Sequence, residues 1–500
     1  MIIIKLNDRE FEQDIRPLVL SFYPGSSIRL LDYDEDIKSA YIKEEYHVSD
    51  RMLSLFQTES EIKAAFYDIH SSFEIEILKE AVYCVPESIP GEEYRITRKN
   101  QLKRDLYRFI SEYENRTLPW GTLTGIRPIK LATAMLSDGL DELAIDQKLE
   151  KEYFMSSKKR DLSIRTAKNE GRLISTLKGT SGFSLYVSIP FCPSTCAYCS
   201  FTSYPLSKWK KQLETYLDCV KKELDLIVHQ TEGKKPETIY IGGGTPTTLE
   251  PALMEDLFFA ITERFDLSEL KEWTVEAGRP DSITIDKLKA IKQFPVSRIS
   301  VNPQTMKEET LKIIGRRHTV EQTLHAFDMA RSCGFDNINM DIIAGLPGED
   351  VDDFHRTIEK IEKLNPESLT VHTLAVKRAA RLNTNADEFA GYKRQDTEAM
   401  LEAAYAGACR MGMEPYYLYR QKNMVGNLEN TGYAKEGKFG IYNILIMEEI
   451  QSIYAAGAGG ATKLVFENGR HERIENVKDI KHYIERIDEM LERKRIGGNI

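Results

Sequence analysis

Basic residues are in the minority: 68 Lys and Arg against 78 Asp and Glu give a formal net charge of −10. That balance excludes a protein that coats nucleic acid, because no large cationic excess is available to neutralise phosphates. Cysteine is scarce, with seven in 500 residues, and Cys84, Cys219, Cys333 and Cys409 are widely scattered. Such usage is no disulfide framework, and these four read as small buried or incidental thiols. No apolar run approaches the about 20 residues that a membrane span needs. The opening Met1-Ile-Ile-Ile-Lys5 turns polar by Asn7-Asp8-Arg9-Glu10, short of the apolar core of a signal peptide, and reads as a first β-strand. The expectation is a cytoplasmic enzyme.

What is present is an ordinary globular composition, 41% apolar and 29% charged, in a chain long enough for roughly three domains. Residues 1–175 mix β-rich stretches (Glu74–Leu78, Ala81–Val85) with charged helical patterns and read as an N-terminal α+β domain without a chemical motif. From residue 180 to 376 strand and helix patterns alternate. The expected strands are Ser184–Phe191, Thr238–Gly243, Trp273–Ala277, Arg298–Gln304, Asn337–Ile343 and Ser368–Val376, with helices such as Leu213–His229, Val320–Cys333 and Val351–Leu364 between them. Parallel neighbours need crossover connections, so this rhythm implies an α/β fold built as an open or partial (β/α)6 barrel, with its chemistry at the carboxyl ends of the strands. Residues 377–500 break the rhythm and read as a smaller C-terminal domain covering the barrel.

The unusual clusters fall at those strand ends. After the first strand comes Phe191-Cys-Pro-Ser-Thr-Cys-Ala-Tyr-Cys199, a C-x3-C-x2-C array. Structural zinc wants four tetrahedral ligands, yet no fourth cysteine is near and no histidine occurs between His70 and His229. A four-iron cluster fits better, since three thiolates hold three irons and leave one open to a substrate-like ligand. Cys192, Cys196 and Cys199 are the candidate metal ligands, with zinc and a remote fourth ligand as the alternative. The second strand ends in Ile241-Gly-Gly-Gly-Thr-Pro-Thr247. Glycines let a backbone approach a ligand closely, and Thr247 stands where a dinucleotide fingerprint would need its third glycine.

With the barrel, the cysteine array resembles the radical S-adenosylmethionine (SAM) superfamily. Further fragments narrow the resemblance: Tyr186-Val-Ser-Ile-Pro-Phe-Cys192, Gly242-Gly-Gly-Thr-Pro-Thr247, Glu276 in Thr-Val-Glu-Ala, Gln304 six residues after Arg298, and Asp341-Ile-Ile-Ala-Gly-Leu-Pro347. In this order they are similar to the oxygen-independent coproporphyrinogen III oxidase family. The N-terminal extension and the segment Tyr419–Tyr433 resemble its HemZ branch.

The resemblance implies a 4Fe–4S cluster and two molecules of S-adenosyl-L-methionine. Tyr186, Gly243 and Glu276 would contact the iron-bound one, and Tyr198, Gly244, Thr245, Gln304, Arg316, Asp341 and Ala375 would surround the second. Arg316 offers a bidentate fork for a carboxylate, and Glu276 or Asp341 can accept from an amino group or ribose hydroxyls. The implied reaction removes hydrogen from a propionate side chain of a tetrapyrrole, releases carbon dioxide and one electron, and leaves a vinyl group. The implied partner is a flavodoxin- or ferredoxin-like electron donor. Lys377, Arg378 and Arg381 are candidates for the substrate's carboxylates, and alternation with Leu369 and Val371 turns His372 inward. Two positions depart from the oxidases: Ser200-Phe201 follows Cys199 where they continue with x-Cys, and Ser188 replaces their His. Relatives without that cysteine include heme-binding chaperones, so a heme-trafficking protein that keeps the cluster is the rival expectation. A radical enzyme acting on another substrate is the third.

Overall fold

The computed structural model describes residues 1–37, 51–70, 75–85, 92–125, 127–199, 203–375, 380–389, 391–392, 396–420 and 427–497, which fall into two compact units. The first comprises Met1–Ile164 with Arg420–Leu428. Its sheet holds β1 (Ile2–Leu6), β2 (Ile28–Asp32), β3 (Arg51–Gln57), β4 (Glu61–Ile69) and β5 (Ile75–Cys84) in the order β2-β1-β3-β4-β5. β1 lies between β2 and β3, and its alternating side chains reach both faces of the sheet. Ile2, Ile4 and Leu6 pack with Leu53, Phe66, Leu102 and Phe109 on one side, and Ile3 packs with Leu31, Met52 and Ile69 on the other. The β-rich stretches expected at 74–78 and 81–85 meet in one antiparallel edge strand, Ile75–Cys84, with Glu74 outside the described residues.

The second unit comprises Arg165–Tyr419 and Glu429–Ile500. It contains β6 (Phe183–Ile189), a two-residue pair β7 (Phe191–Cys192) and β8 (Tyr204–Pro205), and then β9 (Pro236–Gly243), β10 (Glu272–Glu276), β11 (Arg298–Ser300), β12 (Ile338–Ala344) and β13 (Ser368–Thr373). β6 and β9 to β13 pair in sequence order, each parallel to the next. The helices between them include Leu213–Gln230, Pro251–Arg264, Val320–Ser332 and Val351–Leu364. Capping boxes at Thr319 and Asp350 fix where the last two begin. On the strands, Leu185, Val187, Ile239, Ile241, Trp273 and Val275 are fully buried. The alternate positions are polar, and in register they run Tyr186, Tyr240, Thr274 and Arg298. Alternation of this kind gives the parallel sheet a polar inner face.

The expected separate domain from residue 377 is corrected. The C-terminal stretch extends the same sheet at both ends: β14 (Glu414–Tyr419) and β15 (Asn430–Ala434) add antiparallel beside β13. β16 (Ser452–Ala456) adds parallel beside β6, followed by antiparallel β17 (Ala461–Val465) and β18 (His471–Glu475). A six-stranded open sheet has two bare edges, and these strands satisfy their backbone groups. No described helix is long and apolar enough to cross a membrane.

Candidate active site around the cysteine loop

The cysteine loop leaves β6 and is closed at its base by β7 and β8, with the Tyr204 N–H donating to the Pro190 carbonyl at 2.8 Å. Its middle is tied at two points: the Ala197 N–H donates to the Ile314 carbonyl and the Leu382 N–H to the Ala197 carbonyl, both at 2.9 Å. Ala197 and Tyr198 pack against Leu311, Ile343, Leu346 and Leu374. The glycine triplet supplies the seat. The Gly244 N–H donates to the Ile189 carbonyl at 2.9 Å and the Thr245 N–H to the Phe191 carbonyl at 2.7 Å. A Cβ on Gly244 would lie 2.7 Å from the Phe191 oxygen, and one on Gly243 (φ +102°) would lie 2.8 Å from Ser188 Oγ. The close approach expected for a ligand is, at these glycines, an approach to the chain's own loop.

Below the loop the inner face gathers polar groups. Tyr240 Oη donates to Glu276 Oε1 at 2.5 Å, and the Tyr186, Tyr240 and Tyr442 rings stack with centroids 4.5 to 6.1 Å apart. Glu276 is half-buried by exposed area. Burial pushes its carboxyl up to about 7, the Tyr240 bond opposes that shift, and the nearby Asp341 charge adds to it. Asp341 goes the other way: burial would raise it, but His372, Asn339 and Thr370 together hold it below the usual carboxylate range. Asn339 Nδ2 donates to Asp341 Oδ1 at 2.6 Å, and His372 Nε2 lies 3.7 Å from Oδ2. Gln304 sits at φ +67°, a conformation that costs an L-residue energy and clusters at functional sites. Its N–H donates to the Asp341 carbonyl at 2.9 Å while its carbonyl accepts from Ile343 at 3.0 Å. Its buried side-chain Oε1 has no hydrogen-bond partner.

The structure thus brings Tyr186, Gly243, Glu276 and Asp341 near one another, with Gln304 bonded to the Asp341 backbone and Ala375 just past β13. Arg316 is a different case from the free fork expected. It is buried, and Nη1 donates to the Asn302 carbonyl at 2.6 Å, leaving Nε without a partner. Lys377 and Arg378 lie outside the described residues. Arg279 was not singled out in the sequence, although its place just past β10 obeys the strand-end rule. Its guanidinium grips Asp281 at 2.8 and 2.9 Å, reaches Ser194 Oγ at 3.2 Å, and lies 3.7 Å from Cys196 Sγ.

These residues fit a cluster. Burial pushes the Cys192 thiol up to about 11, and the charges of Cys199 and Cys196 add to that, while Thr245 (Oγ1 3.4 Å from Sγ) and Arg279 oppose it. Three mutually opposing thiolates are relieved by bound cationic metal. Among the described residues no three His, Cys, Asp or Glu side chains close on one point as a single ion requires. Zinc draws its thiolates to about 2.3 Å from a common centre, whereas a cubane gives each thiolate its own iron. A donor set of three thiolates fills three irons of a cubane and leaves the fourth open.

Fold and loop define the class, a radical SAM domain: the Radical SAM superfamily pattern matches residues 186–361. The oxygen-independent coproporphyrinogen-III oxidase-like protein HemZ of Bacillus subtilis (strain 168) is 40% identical over 401 residues, 79% of this chain and 80% of its own. The heme chaperone HemW of the same strain is 31% identical over 310 residues, 61% of this chain and 76% of its own. Coproporphyrinogen III oxidase (HemN) from Escherichia coli shares the fold, with a TM-score of 0.51 at 21% identity over 64% of this chain and 73% of that one. The chain belongs to the radical SAM superfamily and, within it, to the oxygen-independent coproporphyrinogen III oxidase family on its HemZ branch.

Proposed function

We propose that this protein catalyses the oxygen-independent oxidative decarboxylation of coproporphyrinogen III propionates to vinyl groups, giving protoporphyrinogen IX. The observation that carries this reading is the polar inner face under the cysteine loop, in a chain whose likeness to HemZ runs through most of its length. When bound, the cluster and S-adenosylmethionine supply the radical that takes a hydrogen atom from the propionate β-carbon. Loss of carbon dioxide and transfer of one electron to an external one-electron acceptor would then leave the vinyl group.

The chain's own residues would hold and orient these groups. Glu276, poised near neutrality by burial, would be held ionised by an ammonium group docking on it. Asp341, kept ionised by His372 and Asn339, is an acceptor for ribose hydroxyls or an amino group. Gln304 presents an unsatisfied Oε1 to the same space. Packing of Ala197 and Tyr198 on Leu311, Ile343, Leu346 and Leu374 anchors the loop. The likeness to HemW supports a second reading, heme trafficking, and one residue favours it. Where the oxidases carry His, Ser188 Oγ donates to the Ala458 carbonyl at 2.8 Å, so no titratable group stands there.

Anaerobic turnover of the reconstituted protein with reductant, S-adenosylmethionine and coproporphyrinogen III, read by mass spectrometry, separates the readings. The expected result is vinyl product formed with deoxyadenosine, both absent in Cys196→Ala, which also loses the cluster's visible absorbance. Stoichiometric heme binding without vinyl product would replace the oxidase by the trafficking protein.

A further inference from the structure

A cleft of about 510 Å³ opens on the cysteine loop, bordered by Ser194 and Thr195 from between the first two cysteines and by Glu308, Lys312, Arg317 and Arg381. Its charge runs against the molecule's. The chain carries −10 overall, yet the lining sets four cations, the buried Arg316 among them, against one carboxylate, and the Glu308 carboxylate already accepts the Val320 N–H at 2.7 Å. Lys312 and Arg317 are exposed, and neither has an ion-pair partner among the described residues. Arg381 pairs with Glu388 at 3.4 Å with both side chains about half exposed, a pair that solvent weakens. In the cleft's wall, His318 is 2% exposed, stands 3.9 Å from Asp281, and has no hydrogen-bond partner on either ring nitrogen.

The cleft is also joined to the candidate ligands. Ser194 Oγ donates to the Gly315 carbonyl at 3.2 Å and accepts from Arg279, whose Nη1 lies 3.7 Å from Cys196 Sγ. One rigid set of contacts therefore connects a basic, solvent-facing surface to the thiol that would hold iron. Radical chemistry on S-adenosylmethionine consumes an electron at each cleavage, and that electron must enter from outside the fold. Charged rims of this kind steer a partner of opposite sign and raise its association rate.

We propose that this cleft docks an acidic, low-potential one-electron carrier protein, which reduces the cluster across the Ser194–Cys196 segment. The inference rests on the radical SAM reading of the loop and not on the identity of the tetrapyrrole substrate. In each event the carrier loses one electron and the oxidised cluster gains one, with no atom transferred. Lys312 and Arg317 supply attraction, and Ser194 and Thr195 supply the shared surface.

The test is stopped-flow reduction of the reconstituted full chain by a reduced flavodoxin, an acidic flavoprotein, followed at the cluster's visible absorbance. Lys312→Glu with Arg317→Glu should slow the second-order step about tenfold or more and flatten its dependence on ionic strength. Reduction by dithionite and iron content should stay unchanged. Co-elution of chain and flavodoxin at low salt should be lost in the double variant, a readout that needs no turnover. Equal flavodoxin rates and equal salt dependence in both proteins would overturn the proposal. So would an unchanged flavodoxin rate with weakened tetrapyrrole binding, which would assign the cleft to the substrate's carboxylates. Failure of the oxidase reading would appear instead as normal cluster reduction without vinyl product.

Discussion

Glu276 is the residue at which site and stability meet. Its carboxyl keeps a proton up to about pH 7 in the folded protein because burial outweighs the Tyr240 bond, whereas an unfolded glutamate releases it near 4.3. Between those values the folded state binds more protons, so stability falls as pH rises through that window and is level on either side. The span corresponds to about 3–4 kcal/mol. Glu276→Gln removes the proton exchange and keeps an acceptor for Tyr240. Guanidine unfolding of the cofactor-free protein at pH 5 and pH 8 should therefore show the variant gaining on the wild type by up to that amount at the higher pH; parallel profiles would mean the carboxyl titrates normally. Asp341 has the opposite sign, since a carboxylate held down by His372 and Asn339 loses its stabilisation on acidification. Two acids on one inner face are thus driven apart, one towards the neutral form and one towards the charged form, by neighbours rather than by position in the chain. Their residue types and strand-end places were legible in the sequence. The shifts were not, because Tyr240, Asn339 and His372 sit on other strands or at other heights and meet them only in the folded register.

At the scale of elements, the loop and the strand beside it form a single construction. Gly244 is hemmed by backbone alone: its added Cβ would meet the Phe191 oxygen at 2.7 Å, the Ile189 oxygen at 2.8 Å and the Phe191 nitrogen at 2.9 Å. No flexible side chain can yield there, so Gly244→Ala must push the cysteine loop outward at a cost of about 1–3 kcal/mol. Iron bound after anaerobic reconstitution should fall well below that of the wild type while far-ultraviolet circular dichroism stays unchanged, and full iron content would show that the loop tolerates the shift. The six central strands were readable because period-two alternation is carried within each strand, as in Leu185, Tyr186 and Val187. β14 to β18 were not, because what makes them strands is the exposed edge of the sheet they join. Their own pattern is short, and β15 contains Gly432, whose Cβ would collide with the Tyr417 ring at 1.9 Å.

Across the whole second unit, the helix Ile487–Gly497 is built into the site's foundation. Lys494 and Glu223 form a fully buried ion pair, with Lys494 also donating to the Ala455 carbonyl. Around Glu223 converge Tyr483 Oη at 2.5 Å, the Gly457 N–H at 2.7 Å and Asn476 Nδ2 at 2.8 Å. The next link reaches the cysteine loop's strand: Tyr216 Oη accepts from the Ala458 N–H at 2.9 Å and donates to the Ser188 carbonyl at 2.7 Å, four residues before Cys192. The tail therefore fixes the end of β16 and, through it, the exit of β6. A lysine in a charged terminal helix reads in sequence as solvated, and only the fold reveals that its partner lies 271 positions away. Removing one member of a buried pair leaves the other charge without compensation, at about 3–5 kcal/mol, whereas replacing both by neutral groups is much milder. Lys494→Met should thus lower the unfolding midpoint sharply, and adding Glu223→Gln should recover a large part of the loss. If the single variant were as stable as the wild type, the network would be incidental. If the double variant were no better than the single, the loss would belong to the lysine's packing and its bond to Ala455, and the carboxylate would be no anchor for the strand that carries the cysteines.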